Sequence, residues 1–290
     1  MHIATLIAPP GRLDPALVEA LSNAWAGGDT DWLSPGEAAE FPLADVPQNL
    51  ADVSADIRAQ GTDLVVQPAE DRRKYVLLAD MDSTMIGQEC IDELAEVAGV
   101  GGAVREITAR AMNGELDFEE ALLARVELLK GLDLGVIDTV LAERITLTPG
   151  GRTLVATMRA NGGYAALVSG GFTSFTQAIA SKLGFDENRA NTLLAENGRL
   201  TGDVARPILG QDAKVAALMD ICARLGLPES AVLAVGDGAN DLGMIARAGA
   251  GVALHAKPVV ADAAPIRIDH GDLTALLYLQ GYARDEFVTS

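Results

Sequence analysis

Basic residues are scarce in this 290-residue chain: 22 Lys and Arg stand against 41 Asp and Glu, a formal charge of -19. Such a surface repels phosphate backbones and anionic bilayers, which argues against nucleic-acid and membrane-surface binding. Any anion it handles must be met by a local concentration of positive charge, from a metal ion, Lys or Arg. Cysteine is nearly absent. Cys90 and Cys222 make neither a disulfide framework nor a C-x-x-C metal clip, and they fit a reducing, cytoplasmic compartment. The three histidines, His2, His255 and His270, lie in unrelated contexts and form no visible triad or metal set. Aromatics are only 4% of residues, so Leu, Val, Ile and Ala must fill the core. There is no internal repeat and no low-complexity tract. No apolar run reaches the length of a membrane span, and the apolar part of MHIATLIAPPGRLD is too short for a signal peptide.

What is present is a regular succession of elements. Residues 1–70 read as a small α+β unit. HIATLIA is a strand and DPALVEALSNAW an amphipathic helix with Asp14 near its start. DTDWL and AAEFPL are weaker strand pieces, PQNLADVSADIRAQG is a helix ending at Gly61, and TDLVVQP is a strand. The order βαββαβ predicts a ferredoxin-like sandwich. QPAEDRRK is polar and reads as a linker. In residues 75–285, KYVLLAD is a continuous apolar run, expected of a strand buried on both faces. Four helix patterns then follow without a strand (ECIDELAEVAG, AVREITARAMNG, DFEEALLARVELLKG and LGVIDTVLAER), predicting a helical cap inserted at about 88–146. After TPGG come helix TLVATMRANGG, strand YAALVSGG, helix FTSFTQAIASKLG, helix DAKVAALMDICARLG, strand AVLAVGDG and helix NDLGMIARAG. GAGVAL is the last clear strand. The fold class is therefore α/β: a Rossmann-like parallel sheet with an inserted helical cap, plus the small N-terminal α+β unit.

In open parallel sheets, ligands sit beyond the carboxyl ends of the strands. Three strands here end in polar or glycine-rich clusters: Asp80, Asp82, Ser83 and Thr84; then Ser169, Gly170 and Gly171; then Gly236, Asp237, Gly238, Asn240 and Asp241. Asp80 and Asp82, two apart on extended backbone, point the same way. Such a pair needs a cation or a proton, and a hard divalent ion with oxygen ligands serves, Mg²⁺ above all, with Asp237 as a further ligand. One carboxylate beside a metal can attack an electrophile while the other moves a proton. The SGG turn and Lys214 would hold an anion. Those parts make a phosphoryl-transfer site.

Asp80-Met81-Asp82-Ser83-Thr84, Ser169-Gly170-Gly171, Lys214 and Gly236-Asp237-Gly238-Ala239-Asn240-Asp241 resemble, in order and strand context, the four motifs of the haloacid dehalogenase-like phosphatases. The finer pattern is similar to the phosphoserine phosphatases. It comprises the DxDST start, Glu89 shortly after it, the segment Met112-Asn113-Gly114-Glu115-Leu116-Asp117-Phe118, Arg125 downstream, and the VSGGF and GDGAND turns. The resemblance spans roughly residues 75–285. It implies that Asp80 is the nucleophile, and that Asp82 protonates the leaving serine oxygen and then activates water. Asp80, the Asp82 backbone carbonyl and Asp237 would bind Mg²⁺. Ser169, Gly170 and Lys214 would hold the phosphate, with Asn240 and Asp241 in support. Glu89 and Arg125 would read the amino and carboxylate groups of O-phosphoserine, between an apolar wall of Met112 and Phe118. A zwitterionic substrate needs one acid and one base at opposite ends, and Arg grips carboxylates bidentately. The resemblance further implies the last step of serine biosynthesis and an ACT-like regulatory role for the N-terminal unit. A homodimer is compatible with it.

Taken singly, several of these residues have plainer readings. Asp82 serves as a helix cap, Glu89 as a first-turn acid beside Asp92, Glu93 and Glu96, Arg125 and Lys214 as solvated arms, and Met112 and Phe118 as core. Cys90 is expected to be a small buried apolar residue. GDGAND lacks the third glycine of a dinucleotide loop, because Asp241 stands there. Two other functions compete. A phosphotransferase would pass the phosphoryl group to another alcohol such as homoserine. A phospho-switch like a receiver domain would keep it, but has neither a cap nor a proton-transfer group at the Asp82 position.

Overall fold

A computed structural model describes the chain except residues 113, 114 and 290 and the side chains of residues 111 and 112. The N-terminal unit contains β1 (His2–Ile7), α1 (Pro15–Ala24), β2 (Asp31–Ser34), β3 (Ala38–Leu43), α2 (Leu50–Ala59) and β4 (Asp63–Pro68). Asp14 caps α1 by accepting a hydrogen bond from Ala16 N–H at 2.9 Å. The four strands form an antiparallel sheet in the order β2-β3-β1-β4, the ferredoxin-like arrangement the element order predicts. Alternation along β1 sends Ala4 and Leu6 to a core shared with Val18, Leu21 and Ile57, while Ile7 joins the larger core of the chain.

The remainder contains β5 (Val76–Ala79), α3 (Cys90–Val97), α4 (Gly101–Met112), α5 (Phe118–Glu127), α6 (Gly135–Glu143), α7 (Gly151–Ala160), β6 (Tyr164–Phe172), α8 (Thr173–Leu183) and β7 (Glu187–Asn191). It continues through β8 (Leu193–Glu196), β9 (Arg199–Val204), α9 (Gln211–Leu225), β10 (Val232–Gly236), α10 (Leu242–Arg247), β11 (Ala250–Leu254), α11 (Pro258–Ala263), β12 (Ile266–Ile268) and α12 (Ala275–Leu279). Six strands form a parallel sheet in the order β12-β11-β10-β5-β6-β7. β5 is central and buried along its whole length, which explains its unbroken apolar run. The chain leaves it for β6 on one side and returns to β10 on the other. The order thus reverses beside β5, where open α/β sheets keep their ligand crevice. The helices α3 to α6 depart immediately after this strand end.

Three features depart from the sequence reading. GAGVAL is not the last strand, because Ile266–Ile268 adds β12 beyond it. Three residues are too few to show a period, and Arg267 between the two isoleucines pairs with Asp269 at 2.7 Å. The segment after α8, unread above, supplies the edge strand β7 and a β8–β9 hairpin. Asn197 and Gly198, both at positive φ, make the hairpin's two-residue turn. This hairpin meets the connection between α5 and α6, where Gly131 N–H donates to Leu200 O at 2.8 Å and Leu200 N–H to Leu132 O at 2.9 Å. Nor is QPAEDRRK a free tether. Gln67 donates to Leu279 O at 2.6 Å, and Arg72 is paired with Glu40. Among the described residues, no helix is long and apolar enough to cross a membrane.

Candidate active site

The backbone beyond β5 stays extended at Asp80 (φ -71°, ψ 161°) and Asp82 (φ -66°, ψ 134°), then turns at Ser83, which takes φ 55°. Met81, between the two acids, points into the core and is fully buried. That alternation sends both carboxylates out of the strand end together. At the end of β6, the pairing with β7 slips between Val168 and Phe172, so Ser169, Gly170 and Gly171 leave the regular ladder. Gly171 N–H donates to Ser169 Oγ at 2.9 Å, and Ser169 Oγ donates to Asp82 Oδ2 at 3.3 Å. A Cβ at Gly171 would lie 2.7 Å from Asp82 Oδ2, so only glycine allows this approach. Asn191, not foreseen from sequence, ties the loop down. Its amide donates to Gly170 O at 2.8 Å and accepts from Leu209 N–H at 2.7 Å.

Lys214 in the first turns of α9 is only 1% exposed, which overturns the solvated-arm reading. Its ammonium lies 2.6 Å from Asp80 Oδ1 and 2.5 Å from Asp241 Oδ1. Burial works against its charge, but Asp80 and Asp241 outweigh that and raise its pKa. The other Asp241 oxygen accepts from Asp237 N–H at 3.2 Å and Gly238 N–H at 3.0 Å. Asp241 is therefore a fixed support. Asp237 follows β10, accepts from Thr84 Oγ1 at 3.1 Å and lies 3.6 Å from the exposed Lys257 ammonium. Asn240 sits half-buried in the turn after it.

One oxygen each of Asp80, Asp237 and Asp241 falls within 4.8 Å of the others, and all three side chains are buried. With Lys214 as the only buried base among them, the cluster carries surplus negative charge. Burial pushes the pKa of Asp80 and of Asp237 upward, with Asp241 adding to both. The donor set is all oxygen, which suits a hard cation, and because Asp241 is spent on Lys214 and two amides, Asp80 and Asp237 remain to bind it.

Asp82 is pushed up to about 6 by burial and then by Glu89, with Cys90 working the other way. That suits a group which gives up and regains a proton near neutral pH. Its cost to the fold can be read out. An acid whose folded pKa lies above 3.8 destabilises the native state as pH rises through the 4–6 range. Replacing Asp82 by Asn is thus expected to raise the stability of the metal-free protein at pH 7.5, by up to about 3 kcal/mol, and to leave it nearly unchanged at pH 4. Thermal unfolding at the two pH values checks this.

On the cap side, Ser83 Oγ donates to Glu89 Oε1 at 2.8 Å. Arg125 donates through Nε to Ala121 O at 3.1 Å, and its charge is felt by Asp92, Glu89 and Asp82. It is half-buried and faces the carboxylates, so it is no solvated arm. Phe118 opens α5 and packs on bare backbone of the sheet side. A Cβ at Gly170 or Gly210 would meet its ring at 3.1 and 3.2 Å. Asp80, Asp82, Glu89, Phe118, Arg125, Ser169, Gly170, Lys214, Asp237, Asn240 and Asp241 thus come together at one sheet end. The Met112 side chain lies outside the described residues. Thr84, Asn191 and Asp92 join the set without having been assigned a role. Cys90 joins it too: its N–H donates to Asp82 Oδ1 at 3.0 Å. Burial and then Asp82 push the Cys90 thiol pKa upward, which keeps the thiol protonated.

A parallel sheet followed by a helical insertion, with a carboxylate–lysine cluster at its switch point, defines the α/β class of the protein. A family model described as haloacid dehalogenase-like hydrolase matches residues 77–246, and the chain belongs to that family. It is 44% identical over 257 residues to a phosphoserine phosphatase of Streptomyces coelicolor, covering 87% of this chain and 62% of that protein, so it spans less than two thirds of that relative's length. It is 47% identical over 200 residues to a phosphoserine phosphatase of Streptococcus thermophilus, covering 69% of this chain and 93% of that one. Among solved structures, a haloacid dehalogenase family hydrolase from Salmonella enterica superposes with a TM-score of 0.87 at 29% identity, over 98% of this chain and 99% of the other. A phosphoserine phosphatase in a phospho-aspartyl intermediate analogue form gives 0.66 at 40% identity, over 71% and 98%.

Proposed function

We propose that this protein hydrolyses O-phospho-L-serine to L-serine and phosphate, with Mg²⁺, through an aspartyl-phosphate on Asp80. The observation that carries the reading is Asp80 itself. It is a buried carboxylate gripped by Lys214, with Asp82, whose pKa is pushed up to about 6, two residues on and the charges of Glu89 and Arg125 beside Asp82. The phosphoserine phosphatases among its relatives and the phospho-aspartyl analogue among its structural neighbours support the same chemistry.

An Asp80 oxygen attacks phosphorus while Asp82 gives its proton to the departing serine oxygen. Asp82 then takes a proton from the water that attacks the aspartyl-phosphate, releasing phosphate and restoring Asp80. Lys214, Ser169 and the backbone N–H at Gly170 hold the phosphoryl oxygens. Asp80, Asp237 and the Asp82 carbonyl would hold Mg²⁺, which supplies charge neutralisation at the phosphoryl group. Glu89 takes the substrate ammonium. Arg125, whose terminal nitrogens bond no other described residue, takes the carboxylate. The unpaired, buried Cys90 and Cys222 fit a cytoplasmic enzyme, and the reaction is that of the last step of serine biosynthesis.

Arg125→Ala is expected to lower kcat/KM for L-phosphoserine by about 10–100-fold, the loss of a charged hydrogen-bond pair. An aryl phosphate lacking a carboxylate should be barely affected. Phosphate release with both substrates checks this, and equal losses would remove Arg125 from carboxylate recognition. The same assay with homoserine added separates hydrolysis from transfer, since a transferase would form phosphohomoserine at the expense of free phosphate.

A further inference from the structure

β6 and β7 separate at the end of the sheet that carries the site and rejoin beyond it. β6 takes four steps from Val168 to Phe172 while β7 takes two from Arg189 to Asn191, so Ser169, Gly170 and Gly171 bulge out between two fixed points. Asn191 stands at the second of these, opposite Phe172, and is only 2% exposed. A side-chain amide offers two donor hydrogens and an acceptor oxygen. All are used here. Nδ2 donates to Gly170 O at 2.8 Å and to Leu209 O at 3.1 Å, and Oδ1 accepts from Leu209 N–H at 2.7 Å. Asn191 thus pairs with Leu209 as one peptide group pairs with another, and the same nitrogen holds the middle of the bulge. Leu209 lies just ahead of α9, the helix that carries Lys214. The ring of Phe118 rests on both joined segments, since a Cβ at Gly170 or Gly210 would meet it at 3.1 and 3.2 Å.

We infer that Asn191 is a positioning residue for the phosphate grip: it fixes the spacing between the Ser169–Gly170 loop and the start of α9, which brings Lys214. The inference rests on Ser169, Gly170 and Lys214 being the groups that hold the phosphoryl oxygens. Without the amide, Gly170 O and both polar groups of Leu209 lose a partner, and the loop and the helix start are free to drift apart. An anion that needs both would then be held less well. Asp80 and Asp237 stand at the ends of β5 and β10, and none of the Asn191 hydrogen bonds goes to either strand. None goes to Glu89 or Arg125. The loss therefore falls on the phosphoryl group common to every ester, not on the metal ligands and not on the group that departs.

The test compares wild type with Asn191→Ala in saturating Mg²⁺, on L-phosphoserine, on p-nitrophenyl phosphate, and with inorganic phosphate as inhibitor. For the variant, kcat/KM is expected to fall about 10–100-fold on both esters alike, the scale of a displaced binding group. The inhibition constant of phosphate should rise about tenfold, the worth of one hydrogen bond to a charged group. Mg²⁺ affinity in the absence of substrate, read by calorimetry, should stay within about twofold, because sites without shared partners respond independently. A merely structural role would not single out the phosphate in this way. Melting temperatures accompany the rates. Asn191→Ser, whose hydroxyl is too short to join both segments, replaces the alanine variant if that one does not fold. Unchanged phosphate inhibition, a Mg²⁺ affinity that falls as far as the phosphate affinity, or a loss confined to phosphoserine would each overturn the inference. Wild-type protein that cleaves the aryl ester but not phosphoserine would instead sink the substrate reading. The variant would then still be judged on the aryl ester and on phosphate, so the two failures are told apart.

Discussion

Asp80→Asn is expected to lower phosphate release by roughly 10⁴-fold or more, the scale of losing a covalent nucleophile, while the protein remains folded. The amide keeps the shape of the side chain but cannot form the acyl phosphate. Folding should survive because Asp80 belongs to a cluster with more negative charge than Lys214 can balance. Removing one charge relieves burial of the rest, so the unfolding temperature of the metal-free variant should equal or exceed that of wild type. Near-normal turnover would refute the role of Asp80. Loss of the fold would show that the carboxylate is held for structure.

The second large effect lies beneath Asp80. Lys214→Met should abolish turnover and also destabilise the metal-free protein by about 3–5 kcal/mol, the cost of stripping one partner from a buried ion pair. Methionine fills the space of the lysine stem, so packing alone does not account for such a loss. Asp80 and Asp241 would then face each other without the ammonium that now lies 2.6 and 2.5 Å from them. Mg²⁺ is expected to restore part of the lost stability, because a divalent cation bound by Asp80 replaces some of the missing charge. Denaturant unfolding with and without Mg²⁺ measures both effects. Wild-type stability of the metal-free variant would mean that Lys214 is not the counter-charge of this cluster.

Much of the fold is legible because burial writes itself into the chain. Leu77, Leu78 and Leu233 are buried, and their strands read as unbroken apolar runs. β7 escapes because it is an edge strand that opens with Glu187, Asn188 and Arg189. These are held by charge pairs such as Arg189 with Asp220 at 2.5 Å, and they carry no apolar period. The β8–β9 hairpin did leave a signal, Asn197-Gly198 between two short strands, but its exposed β8 residues mask the alternation. At the site, the strand-end clusters were readable because a parallel sheet collects them at one edge. The depth of Lys214 was not, since a lysine among alanines on a helix looks the same whether it meets water or two carboxylates. Cys90 was unreadable for a related reason: its partner is fixed by the turn at Ser83, which folds the start of α3 back onto Asp82.

The account turns on phosphorus passing through one side chain. Rapid quenching of the protein with L-phosphoserine and Mg²⁺, followed by borohydride reduction and peptide mass spectrometry, should find homoserine at position 80. Phosphate released with no reduced residue, or with reduction at any other aspartate, would contradict it.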